Sequence, residues 1–204
     1  MSARYVVAVA ALVVAGVAPL AAQGTPAPSP RVELTADQQI AVAVLPLPAS
    51  FRDSATVMGY GADGKMKVLR PGQGAMVCLA SDPASERFHV ACYHRALDPF
   101  MARGRALRAQ GIKGDQIDSF RFAEVRSGQL KFPTQAASLY SLTGPAGTYH
   151  PATGAVTGAR HLYVVYLPNA TAASTGLPDR PTQGVPWIMH PGTIKAHIMF
   201  VPSM

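Results

Sequence analysis

Apolar and polar residues alternate in short blocks along most of this chain, and one block departs from that rule. Residues 5–22 (Tyr-Val-Val-Ala-Val-Ala-Ala-Leu-Val-Val-Ala-Gly-Val-Ala-Pro-Leu-Ala-Ala) form a continuous apolar run. Downstream, Thr35-Ala36-Asp37-Gln38 has the Thr and Gln spacing of a capping box, and it opens an apolar helix through about Leu45. Pro46 and Pro48 stop that helix. Residues 55–60 and 65–69 then alternate around Ala62-Asp63-Gly64, a hairpin signal. Residues 74–80 and 87–93 read as two more strands, with turn chemistry at Ser81-Asp82-Pro83-Ala84-Ser85. Pro71-Gly72-Gln73-Gly74 leads into them, so the early half is expected to be a meander of four short strands.

The pattern then lengthens to a helical period. Asp98-Pro99 is a helix start in which Asp caps free amides and Pro occupies a position needing no donor. That helix is expected to run to about Gln110, ended by Gly111. Phe100, Gly104 and Leu107 share one face, and Arg103, Arg105 and Arg108 flank it as solvated surface. Asp115 caps a further helix through Phe120; 121–132 fits either continued helix or a hairpin turning at Ser127-Gly128, and the preferred reading is helix and then a short strand at 129–132. Residues 144–160 and 168–186 are rich in Gly, Pro and Thr and read as loops. Strands are expected at 161–167, 187–190 and 195–201. Helices between groups of antiparallel strands, without βαβ alternation, give an α+β fold: mainly antiparallel, short strands, two or three helices.

Arg4 before the apolar run, Pro19 within it and Ala21-Ala22-Gln23 at its end have the layout of a secretory signal over residues 1–23. A retained membrane anchor is the alternative, since the run is barely long enough to span. Gly16, Pro19 and the missing basic cluster after it favour cleavage. Residues 24–30 (Gly-Thr-Pro-Ala-Pro-Ser-Pro) read as a Pro-rich spacer. Residues 31–204 are then one domain, periplasmic or secreted. Losing Arg4 takes the formal charge from +7 to +6, so the mature chain stays basic. Its Lys and Arg residues are scattered, which gives no support for nucleic-acid binding and leaves weak association with anionic cell-surface material as the electrostatic alternative.

Export changes how the only two cysteines are read. In an oxidising compartment Cys78 and Cys92 are expected to form one disulfide, because folding their strands back antiparallel brings them together. The separation is unlike that of a C-x-x-C redox pair.

Candidate chemistry is sparse. His89 and His94 differ by an odd number and face opposite ways on a strand. His190 and His197 lie on consecutive strands and could approach each other near Trp187, with His161 or His150 as a third metal ligand. Hydrogen-bonded or solvent-exposed histidines are the preferred reading, and no cofactor is expected. There is no G-x-S-x-G elbow, and neither a Walker nor a dinucleotide fingerprint. The aromatic and sulfur-rich patch Tyr163, Tyr166, Trp187, Met189, His197 and Met199 is either core or the wall of a small-ligand pocket.

The stretches Ala55-Thr56-Val57, Leu69-Arg70-Pro71-Gly72 leading to Cys78, and Pro186-Trp187-Ile188-Met189-His190-Pro191-Gly192-Thr193 followed by Ala196-His197-Ile198-Met199 are similar to a group of uncharacterised exported bacterial proteins. The resemblance spans most of residues 50–203 and implies export and a single domain, with no activity, substrate or cofactor attached. The expected function is a non-catalytic or small-ligand-binding envelope domain. A secreted histidine-dependent metal hydrolase is the main alternative.

Overall fold

The capping box at Thr35 forms as written. In the computed structural model, which describes residues 33–181 and 184–202, the Gln38 amide donates to Thr35 Oγ1 (3.2 Å) and the Thr35 amide donates to Gln38 Oε1 (3.0 Å). These bonds satisfy two otherwise orphaned amides at the start of α1 (Ala36–Ala43), a contribution of about 1 kcal/mol. The expected leader and the 24–30 spacer lie outside the described residues. A one-turn helix, α2 (Ala49–Arg52), follows the prolines.

The next four strands are β1 (Thr56–Tyr60), β2 (Met66–Arg70), β3 (Met76–Leu79) and β4 (Arg87–His94). They do not form the expected meander. β1 pairs with β2 antiparallel but with β3 parallel, so the chain leaves the β2 edge, crosses the end of β1 and re-enters on its far side. Glycine makes that crossing possible. A Cβ on Gly72 would collide with the backbone of Ser54 and Ala55, and one on Gly74 would collide with Ser54. Thr56 Oγ1 donates to the Gly72 carbonyl (3.1 Å), and Arg95 Nη2 donates to the carbonyls of Gly72 (3.0 Å) and Gly74 (2.9 Å). Buried Gln39 joins α1 to β1 by accepting from the Tyr60 amide (2.8 Å) and donating to the Tyr60 carbonyl (3.1 Å).

After β4 a single 3₁₀ turn (Arg95–Leu97) runs into α3 (Asp98–Ala109). Asp98 is not the cap: His94 Nδ1 accepts from the Ala96 amide (3.2 Å), and Asp98 binds side chains instead. α4 (Asp115–Arg126) is one continuous helix whose N-cap is Gly114, without a side-chain cap from Asp115. The short strand expected at 129–132 is absent. The chain then enters β5 (Ala137–Pro145), a small hairpin of β6 (Tyr149–His150) and β7 (Ala155–Val156), and β8 (Arg160–Tyr166). The one-turn helix α5 (Ala172–Thr175) precedes β9 (Trp187–Met189) and β10 (His197–Phe200).

Eight strands make one sheet in the order β2-β1-β3-β4-β5-β8-β10-β9, antiparallel except at β1–β3. The fold is α+β, with three helices of eight residues or more among the described residues and one disulfide. Residues 78 and 92 are direct partners in the β3–β4 ladder, and their sulfurs are bonded.

Each face of the sheet carries a helical layer. Ala43, Val44 and Leu47, in and just after α1, pack on Val57, Met76, Cys78 and Cys92. On the opposite face Leu97 and Met101 meet Val77, Tyr93, Ala137, Val164 and Tyr166. A third cluster joins Val42 of α1 to Phe88, Val90, Leu142 and Ala159, and burial of this kind supplies about 25 cal/mol per Å² of apolar surface.

Candidate functional site

The C-terminal block is ordered by register. His197 lies opposite Tyr166 on one side and Met189 on the other, while Met199 lies opposite Val164 and Trp187. All six side chains therefore point to one face of the sheet, the face covered by α3. Tyr166 and His197 are each 7 % exposed and Trp187 is 9 % exposed. Phe132 extends the packing, with ring centroids 4.7 Å from Phe100 and 6.2 Å from Tyr166. Tyr163, an odd number of residues from Tyr166, points to the opposite face.

Electrostatics fix the state of His197. Its Nδ1 is 2.7 Å from the Lys195 carbonyl, which can only accept, so Nδ1 carries the proton and Nε2 keeps its lone pair. Burial lowers its basicity, and the nearby His190 acts in the same direction. The His190 ring centroid is 5.6 Å from that of His197, so the structure brings these two histidines together. It does not add His161, which faces the other side of β8 by the same odd-number rule. His150 bonds Thr157 in the β6–β7 hairpin (2.8 Å). Among the described residues no group of three His, Cys, Asp or Glu side chains could hold a metal ion. No hydroxyl or thiol there hydrogen-bonds to His197, so the geometry of a Ser-His pair is not built around it.

Beside this block, Asp118 on α4 accepts from Lys195 Nζ (2.7 Å) and from Arg121. Burial raises its pKa, but the hydrogen bonds from Lys195 and Arg121 outweigh that and hold the carboxyl below the usual carboxylate range. Arg121 is itself buried, lies 3.9 Å above the Phe100 ring and donates to the Phe100 carbonyl (3.3 Å). These contacts anchor α4 and the lead-in to β10; they leave no charge directed at an open site.

The open site lies on the other face. Where the α1 layer ends, β5, β8 and β10 floor a groove of about 410 Å³ walled by Tyr140, Tyr163, Val165, Val185, Pro186 and Phe200. Tyr140 and Tyr163 meet edge to face with centroids 5.5 Å apart. Val185 and Phe200 are exposed. Sequence reasoning singled out Tyr163 but missed Tyr140, Val165 and Phe200. Parity within the expected strand 161–167 could have found Val165 beside Tyr163, whereas Tyr140 pairs with Tyr163 only through the β5–β8 register.

No helix among the described residues is long and apolar enough to cross a membrane. No protein-family model matches the chain, and neither a curated protein nor a solved structure matches it.

Proposed function

We propose that this chain is an exported, non-catalytic envelope domain that holds a small, largely apolar ligand against the β5–β8–β10 face. The observation that carries the reading is the groove itself. Its size falls within the roughly 300–1,000 Å³ typical of small-molecule sites, and its walls are aromatic and aliphatic with two tyrosine hydroxyls as polar handles. The residues that look most like chemistry, His197, Tyr166 and Trp187, are packed into the opposite face instead. Export draws support from the leader-like run at residues 5–22 and from the Cys78–Cys92 bridge, a bond that persists in oxidising compartments. On its C-terminal Trp-to-Met block we place the chain with the uncharacterised exported bacterial proteins it resembles.

Titration with Nile red, an uncharged apolar dye, tests the binding site. Saturable one-to-one enhancement of fluorescence is expected, and Phe200→Asp or Val185→Asp, both exposed positions, should weaken it by about tenfold or more. Unsaturable enhancement, or an unchanged response in both variants, would contradict the reading. Export is tested separately by the intact mass of protein recovered from the native host. A mature start near residue 24 is expected, and a retained Met1 would refute it.

A further inference from the structure

A second cleft opens on the α3 face, between the C-terminal half of α3 and strands β1 to β4. It encloses about 530 Å³, and three guanidinium side chains contribute to its lining: Arg87 from β4, and Arg105 and Arg108 from α3. Asp82 is the one carboxylate among the lining residues. Arg105 is already engaged, donating to the Tyr93 hydroxyl (2.8 Å) and to Asp98 (3.3 Å). Arg87 and Arg108 have no side-chain hydrogen bond or ion pair among the described residues. Burial lowers the Arg108 pKa, the Arg121 charge pushes the same way, and Asp118 opposes them.

Tyr60 and His89 also line this space. The Tyr60 hydroxyl is pushed up to about 12 by burial and by Asp82, so it stays protonated at neutral pH. His89 Nδ1 pairs with Thr143 Oγ1 (2.9 Å), which leaves Nε2 directed away from that bond. The floor is apolar, formed in part by Leu79 and Ala91. With Arg105 paired to Asp98, Arg87 and Arg108 bring two cations to a cleft lined by one carboxylate, Asp82, and a bound oxyanion offsets the remaining repulsion while using the guanidinium forks bidentately.

We propose that this cleft binds a small organic oxyanion, a phosphate monoester or a carboxylate, with its charged head on Arg87 and Arg108 and its apolar body on the Leu79–Ala91 floor. The site is separate from the β5–β8–β10 groove and stands whether or not that groove binds anything. Phosphate and carboxylate heads share this chemistry, so phenyl phosphate and benzoate serve as the two probes, with inorganic phosphate as the probe lacking a body.

Calorimetric titration of the full chain at low salt is the test. At least one aromatic probe is expected to bind saturably at one site and to raise Tm, and the tighter of the two identifies the head group. Arg87→Ala and Arg108→Ala should each weaken it roughly tenfold, while Arg126→Ala, an exposed cation on α4, should bind like the parent. Inorganic phosphate should bind more weakly than phenyl phosphate. Because neither Arg87 nor Arg108 makes a side-chain hydrogen bond or ion pair among the described residues, the variants without probe should unfold close to the parent Tm, which separates lost binding from lost folding. No saturable binding of either aromatic probe, or equal binding by the parent and the Arg87→Ala/Arg108→Ala double variant, would overturn the proposal.

Discussion

Two cations converge on Asp118, one from its own helix and one from a residue 77 positions away. Removing the carboxylate leaves Arg121, buried over Phe100, without its counter-charge. Asp118→Asn is therefore expected to destabilise the domain by about 3 kcal/mol, read from urea unfolding. Its depressed carboxyl pKa also sets a sign with pH. The stabilisation is present above the ordinary carboxylate pKa of about 4 and is lost as pH falls through the lower folded value. His197 acts in a different window with the same direction. Its folded pKa is depressed, so below about 6.5 the unfolded chain takes up the proton first and stability falls with acidification. His197→Gln should flatten the stability profile between pH 6.5 and the folded value. An unchanged slope would show that the imidazole is not held neutral by burial. Neither role was legible in the sequence, because Asp118 and Lys195 meet only through the docking of α4 on the C-terminal strands, and no local pattern encodes that docking.

At the scale of elements, local chemistry foretold well and long-range pairing did not. The capping box at Thr35, the turn ending at Gly64 and the cysteine hairpin are each specified by residues a few positions apart, and each forms. The β2-to-β3 crossing is specified by Gly72 and Gly74 approaching Ser54, a contact invisible until β1 is placed. Gly72→Ala should cost about 2 kcal/mol or more, because backbone rather than a movable side chain fills the space, and thermal unfolding would register it as a lower Tm. Wild-type Tm in that variant would mean the crossing is not so tight. β5 was missed altogether. Its Ala-Ser-Leu-Tyr-Ser-Leu-Thr-Gly-Pro sequence mixes small and polar residues, yet it sits between β4 and β8 with both ladders filled. Ser141 is buried there and its hydroxyl reaches toward the Leu162 carbonyl (3.5 Å), so sheet context outweighed weak propensity. The Cys78–Cys92 bridge closes a 14-residue separation across an existing ladder. Replacing both cysteines by Ala should remove about 3 kcal/mol in the chain-entropy account while leaving the β3–β4 pairing in place. Loss of that pairing, seen as missing amide protection in β3, would make the bridge essential to the fold.

For the whole molecule, the decisive feature is how unevenly the helices cover the sheet. α3 overlies the face that holds Trp187, Tyr166 and His197, while on the opposite face α1 packs on β1, β3, β4 and, through Val42 against Leu142, on β5. The aromatic C-terminal block was read from sequence as core or pocket wall, and the structure divides it by parity: even-numbered Tyr166 turns inward with His197, and Tyr163 turns to the groove with Tyr140. Alternation within each strand was legible, whereas which face would remain open depends on where α1 ends. The basic cleft was hidden for a related reason. Arg105 and Arg108 read as solvated helix surface, and only the packing of α3 over β4 sets them beside Arg87 and His89. The proposed function requires the groove to be a ligand site, and amide chemical-shift mapping with an uncharged apolar probe examines it directly. Saturating shifts confined to β5, β8, β10 and residues 184–186 are the predicted result. Shifts that never saturate, or that cluster elsewhere on the domain, would contradict it.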